Sequence, residues 1–202
     1  MERSDFFSFL DLPRKLNIDM ATLDGRYRTL SRQFHPDFFY NATPAERRLS
    51  LERSSYLNDA YRALRDPIRR IEYLLKLEGL APKNEQEASR QVPPALLEEV
   101  FALNEELDEV REQRSSGAAA DLWKARLERA RQPIERKRVE HEAELQSLAA
   151  RWDAVVDRPV GDSARCQVLE ALRDRFLERN YINNLLAGIE REMSQTGGET
   201  PE

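Results

Sequence analysis

The segments Thr43-Pro44-Ala45-Glu46 and Asp66-Pro67-Ile68 open alike, with a capping side chain directly before a proline. Proline has no amide hydrogen and a fixed φ, so it is tolerated at the first helical position, while a preceding Thr or Asp accepts from the next free amides. Glu46 stands where it completes a capping box with Thr43. Both segments therefore start helices. The first carries Leu57, Ala60, Tyr61 and Leu64 on its inner face, and the second, DPIRRIEYLLKLEG, is closed by Gly79.

The same period recurs upstream. Ser4 is predicted to cap a short helix bearing Phe6, Phe7, Phe9 and Leu10, with Pro13 after its end. From Asp19, Leu23, Tyr27, Leu30 and Phe34 form one apolar stripe, with Arg28 and Arg32 opposite and Arg26 on the flank. Pro36 disfavours helical geometry at His35 and ends this helix. His35-Pro36-Asp37 is thereby placed in a loop between two helices.

Periodicity lapses over residues 80–92, which predicts a linker between a domain at 1–79 and a second at 93–196, with 197–202 as a disordered tail. In the second domain Pro94 starts a helix with Leu96, Val100, Leu103, Leu107 and Val110 on its stripe. A second long pattern runs from Trp123 through Leu127, Ala130, Ile134, Leu145 and Leu148 to Trp152, with Pro133 predicted to kink or divide it. A third carries Leu169, Leu172, Phe176, Ile182, Leu185, Leu186, Ile189 and Met193. The expected fold is all-α, with an antiparallel three-helix bundle at the C-terminal end. Only 7 glycines in 202 residues, and charges that are mostly Glu and Arg among Leu and Ala, agree with it.

A formal net charge of -5 argues against nucleic acid as a partner. No apolar run approaches the roughly 20 residues that span a bilayer, so a soluble, cytoplasmic protein with no membrane partner is expected. The single Cys166 excludes an internal disulfide and the usual multi-cysteine metal sites, and no metal or other cofactor is expected. Cys166 reads as a small, partly buried helix residue. His141, on the stripe between Ile134 and Leu145, reads as a hydrogen-bonded core histidine.

For His35 the residues alone leave three readings: a general base oriented by Asp37, a capping and loop-forming group, or a contact for another protein. The first requires a pocket, which a small helical unit offers poorly. A metal site is weaker still, because His141 belongs to the other domain.

A helix with a basic outer face, an HPD loop and an antiparallel helix bearing YLNDAYRALRDP together resemble the J-domain of DnaJ-type co-chaperones, over about residues 1–77. The resemblance implies docking on a DnaK-type chaperone and stimulation of its ATP hydrolysis. By position it makes His35, Pro36 and Asp37 the essential loop and puts Tyr27, Arg28 and Arg32 on the docking helix. Phe38 and Phe39 stand where many J-domains follow the tripeptide with a basic residue, and Asp24 where the docking helix is often basic.

The rest of the chain lacks the glycine/phenylalanine segment and cysteine repeats of general DnaJ proteins. Through DPIRRIEYLLKLEG and LLEEVFALNEELDEV the whole chain resembles the HscB family of iron–sulfur cluster assembly. That resemblance implies a non-enzymatic co-chaperone that binds an IscU-type scaffold and presents it to an HscA- or DnaK-type chaperone. The alternative is a J-domain co-chaperone serving other clients in general protein folding.

With Leu96, Val100, Leu103, Leu107 and Val110 as the core seam, a step of about 100° per residue sets Leu97 and Phe101 off that seam, with Glu105 continuing their row. A wide core face, a contact with the first domain and a binding surface all fit the spacing. HscB-like proteins use this face, with contributions from the last helix, to bind the scaffold. The implied scaffold-binding residues are Leu97, Phe101, Glu105 and Phe176, although the spacing of Phe176 also suits the core.

Overall fold

Capping side chains set the starts of the four N-terminal helices in the computed structural model, which describes residues 5–81 and 94–194. Ser4, residues 82–92 of the expected linker and the expected tail at 197–202 lie outside the described residues. The helices are α1 (Phe6–Phe9), α2 (Met20–Phe34), α3 (Pro44–Arg65), α4 (Pro67–Leu77), α5 (Leu97–Ser115), α6 (Ala120–Val155) and α7 (Ser163–Ser194). Short 3-10 turns occupy Pro36–Phe39 and Pro94–Leu96.

Asp5 caps α1, its carboxylate accepting from the Ser8 amide at 3.1 Å. Asp19 caps α2 by accepting from Ala21 and Thr22. The Thr43–Glu46 capping box is present in both directions on α3, and Asp66 accepts from Ile68 and Arg69 at the start of α4. Gly79 follows α4 with a φ of 74°, a conformation that side chains with a Cβ adopt at a cost.

One compact unit comprises Met1–Ala81 with Ser147–Arg173, and the other Pro82–Gln146 with Asp174–Glu202. In the first, α2 and α3 pack as a hairpin around Leu23, Phe34, Leu57, Ala60 and Leu64, capped by Phe7 and Leu10 of the N-terminal segment. This unit takes in residues 147–173, which the sequence pattern assigns to the C-terminal bundle. Polar contacts explain the difference. The Trp152 indole N–H donates to the Arg14 carbonyl at 3.0 Å, and the Asp153 carboxylate accepts from the backbone amides of Leu16 and Asn17 at 2.6 and 3.0 Å. Arg165 pairs with Glu78 at 2.8 Å and lies 5.2 Å from the Trp152 ring centroid. Arg165 and Val168 take the inward positions at this end of α7, which leaves Cys166 exposed where the sequence suggested partial burial.

In the second unit α5, α6 and α7 share a core of Leu96, Val100, Leu103, Val110, Trp123, Leu127, Ile134, Ile182, Leu186 and Ile189. Ion pairs give the directions. Arg126 meets Glu106 while Lys137 meets Glu99, and Arg131 meets Glu190 while Arg175 meets Glu144, so α6 is antiparallel to both neighbours. Pro133 does not divide α6, which continues from Ala120 to Val155. One backbone bond is lost there, and Ile134 beside it stays buried in the core.

His141 is buried as expected, but its ring makes no hydrogen bond at Nδ1, which stands 3.4 Å from Glu178 Oε2. Burial lowers the pKa of His141, with Arg175 and Lys137 adding to the effect, and burial raises that of Glu178. Arg175, at 2.6 Å, is the closer partner of Glu178, and Glu140 and Glu144 also act on the ring from α6.

Two outcomes follow from this packing. Trp152→Ala removes a fully buried indole and its bond to Arg14, and should destabilise the chain by about 3–5 kcal/mol in urea unfolding followed by circular dichroism. His141 has a lowered folded pKa, so below about pH 6.5 the unfolded chain takes up a proton that the buried ring resists, and stability falls with pH. Glu178 acts with the opposite sign, so the diagnostic is a difference: wild type should lose more stability than His141→Gln between about pH 7.5 and pH 5.5.

Candidate functional site

The HPD segment is held by what happens to the last carbonyl groups of α2. Pro36 keeps His35 extended, with φ −63° and ψ 127°, so the helix cannot continue and its final carbonyls lose their donors. The Phe34 carbonyl instead accepts from two α3 hydroxyls, Ser50 Oγ at 2.8 Å and Ser54 Oγ at 2.7 Å. The buried Phe34 ring lies 6.1 Å from that of Phe9, and the Arg53 guanidinium is 5.5 Å from its centroid. Backbone and side chain are thus both fixed one residue before the tripeptide. The two serines were not singled out in the sequence, yet they lie seven and three residues before Leu57 on the same face of α3.

From there the connection is a 3-10 turn with Pro36 at its first position, tighter than a plain loop. His35 Nδ1 accepts from the Asp37 amide at 3.3 Å, and the Phe38 amide donates to the His35 carbonyl at 3.0 Å. An accepting Nδ1 carries no proton. The same nitrogen lies 3.5 Å from Asp37 Oδ2, so the two side chains become an ion pair only when the ring is protonated. Half of the His35 side chain and most of the Asp37 side chain are exposed. The motif is presented to solvent instead of lining an enclosed site for a general base. No cluster of three or more His, Cys, Asp or Glu suited to a metal occurs among the described residues.

The other residues assigned to this surface divide into two kinds. Tyr27 is half-buried, stacks on Tyr61 with centroids 4.1 Å apart and donates to Asn58 at 2.9 Å, so it fastens the α2–α3 hairpin. Tyr61 in turn donates to Asp24 at 2.8 Å, and that bond raises the Tyr61 pKa. Asp24, an acidic residue on a helix read as basic, is occupied in the same fastening. Arg28 and Arg32 are exposed: Arg28 reaches Asp24 only at 4.0 Å, and Arg32 pairs with no carboxylate among the described residues.

In the second unit, α5 buries Val100, Leu103 and Val110 and leaves Leu97 40% and Phe101 70% exposed, with Glu105 exposed beyond them. Arg126, paired with Glu106 and Glu109, borders this helix, and the Glu106 bond holds its pKa above the ordinary value. Phe176 does not join the exposed row. It is 4% exposed, at the place on α7 that follows the core period, so it packs inward as its spacing also allowed.

No protein-family model matches the chain. It is 38% identical, over 163 residues, to a co-chaperone protein HscB homolog of Cupriavidus taiwanensis, covering 81% of this chain and 85% of that one. The human co-chaperone HscB superposes with a TM-score of 0.64 at 26% identity, covering 95% of this chain and 83% of the other. Chaperone HscB from Vibrio cholerae gives 0.59 at 28% identity, with 93% and 96% covered. An HPD turn between antiparallel helices, joined to a C-terminal helical bundle, defines a J-domain co-chaperone. The chain belongs to the HscB co-chaperone family.

The Phe34 carbonyl supplies a direct check on how the turn is held. Replacing both Ser50 and Ser54 by Ala leaves a buried acceptor without a donor and should cost about 1–3 kcal/mol in thermal or urea unfolding. Either single change should cost less, since one hydroxyl remains.

Proposed function

We propose that the chain binds an IscU-type iron–sulfur scaffold through its C-terminal region, residues 93–196, and uses its J-domain, residues 1–79, to stimulate ATP hydrolysis by an HscA- or DnaK-type chaperone. The observation that carries this reading is the exposed, hydrogen-bonded HPD turn beside exposed Arg28 and Arg32. Cations of this kind steer an approaching acidic surface, and a turn already ordered in the free protein loses little entropy on docking. His35, Pro36 and Asp37 act at the chaperone's surface. The hydrolytic chemistry belongs to the partner, and the chain itself is a non-enzymatic adaptor.

Leu97 and Phe101 support the scaffold contact, with Glu105 as a polar neighbour. They are large apolar groups outside the core seam, and burying such a side chain is worth roughly 1.5–3 kcal/mol when it is fully covered. Two anchors of this size suit a complex that forms and releases.

Single-turnover ATP hydrolysis by the chaperone tests both halves. Wild type should accelerate it, His35→Gln should not, and an IscU-type scaffold should raise the stimulation further. Leu97→Ala with Phe101→Ala should abolish scaffold capture and the scaffold-dependent increment while keeping the scaffold-independent stimulation. Absence of stimulation by wild type overturns the chaperone reading; stimulation without scaffold capture favours a co-chaperone serving other clients.

A further inference from the structure

Phe38 is 75% exposed on the HPD turn itself. Scattered surface hydrophobics are ordinary and need no explanation. Phe38 differs from them in how it is held. Its amide donates to the His35 carbonyl at 3.0 Å, and its ring meets the His35 ring edge-on, with centroids 6.2 Å apart. Phe39, the next residue, is the half-buried one of the pair, so Phe38 is not needed to fill the core. A partner that touches the His35 imidazole therefore meets the Phe38 ring in the same contact.

We propose that Phe38 is an apolar anchor for the chaperone, seated in a nonpolar depression that borders the acidic surface opposite Arg28 and Arg32, and that it sets which chaperones this chain binds tightly. The inference rests on the co-chaperone reading above and adds the specificity residue. Its physical basis is a division of labour on one continuous surface. The arginines act over distance and weaken with salt, whereas a ring positioned by the turn contributes short-range burial that salt does not screen. Because the backbone of Phe38 is already bonded within the turn, little ordering is needed when the ring is covered.

The test is single-turnover ATP hydrolysis by a DnaK-type chaperone, titrated with the full chain and its variants at about 50 mM and about 500 mM salt. Phe38→Ala should raise the concentration for half-maximal stimulation roughly tenfold, by the loss of one buried aromatic anchor. The maximum should be unchanged and the shift equal at both salt concentrations. Arg32→Ala should show a shift that shrinks at high salt, and Phe38→Leu should restore most of the affinity. Tyr40→Ala is the control for general surface stickiness, since Tyr40 is 79% exposed but makes no ring contact with His35. Unaltered thermal unfolding of each variant establishes that the turn is intact. The proposal is overturned if Phe38→Ala stays within about twofold of wild type, if it lowers the maximum as His35→Gln does, or if Tyr40→Ala shifts the titration equally. If wild type gives no stimulation, the co-chaperone reading fails and takes this one with it; normal stimulation with an unaffected Phe38→Ala removes only the anchor.

Discussion

A proline that ends a helix strips donors from the carbonyls before it, and two such endings organise the N-terminal unit. At Pro36 the deprived carbonyl is that of Phe34, taken up by the hydroxyls of Ser50 and Ser54. At Pro67 the end of α3 is treated the same way by a different residue. The guanidinium of buried Arg70 donates to the carbonyls of Leu64 and Arg65, and a further N–H reaches the Leu16 carbonyl. Each ending is thus sealed by a side chain from the helix that follows. The first seal sets the position of the HPD turn, and the second ties the α3–α4 corner to the segment before α2.

Arg70 shows why such a seal is selective. Burial lowers its pKa, and among the described residues no carboxylate bonds to it directly; Asp66 and Asp153 act on it through space. A buried cation left without acceptors is strongly unfavourable, so the arrangement tolerates little displacement of the three carbonyls around it. Asp153 reinforces the same place, because it accepts from the Leu16 and Asn17 amides next to the carbonyl that Arg70 uses. Residues far apart in sequence are thereby held to one segment by charge-assisted bonds.

These features mark the limit of what the sequence makes legible. Caps and periods are local, and Thr43, Asp66, Gly79 and the stripe from Leu23 to Phe34 occur in the structure as their spacing requires. The tripeptide and the exposed Leu97 and Phe101 follow from the same arithmetic. Trp152, Asp153 and Arg165 do not. Their partners are Arg14, Leu16, Asn17 and Glu78, and a hydrogen bond across such a separation leaves no periodic trace. The extent of the first unit was hidden for that reason. The burial of Phe176 was open for another reason, because one aromatic on a helix satisfies a core stripe and a surface row alike until the neighbouring helices are placed. Ser50 and Ser54 lay on a legible face, but small polar residues carry no hydrophobic signal.

The same arithmetic explains why the two candidate surfaces differ chemically. On α2 the apolar stripe is consumed by the hairpin, and Tyr27 and Asp24 are consumed by bonds to α3, so what remains outward is cationic. On α5 the buried seam of Val100, Leu103 and Val110 is narrow, and the row from Leu97 to Phe101 falls outside it, so what remains outward is apolar. An exposed arginine is hydrated and keeps its freedom until a partner arrives, and its main contribution is to encounter and register. An exposed phenylalanine contributes once water is expelled from it, and so acts chiefly on how long a complex lasts. Phe38 places a group of the second kind on a surface of the first, within one 3-10 turn of the residues that the chaperone is proposed to read.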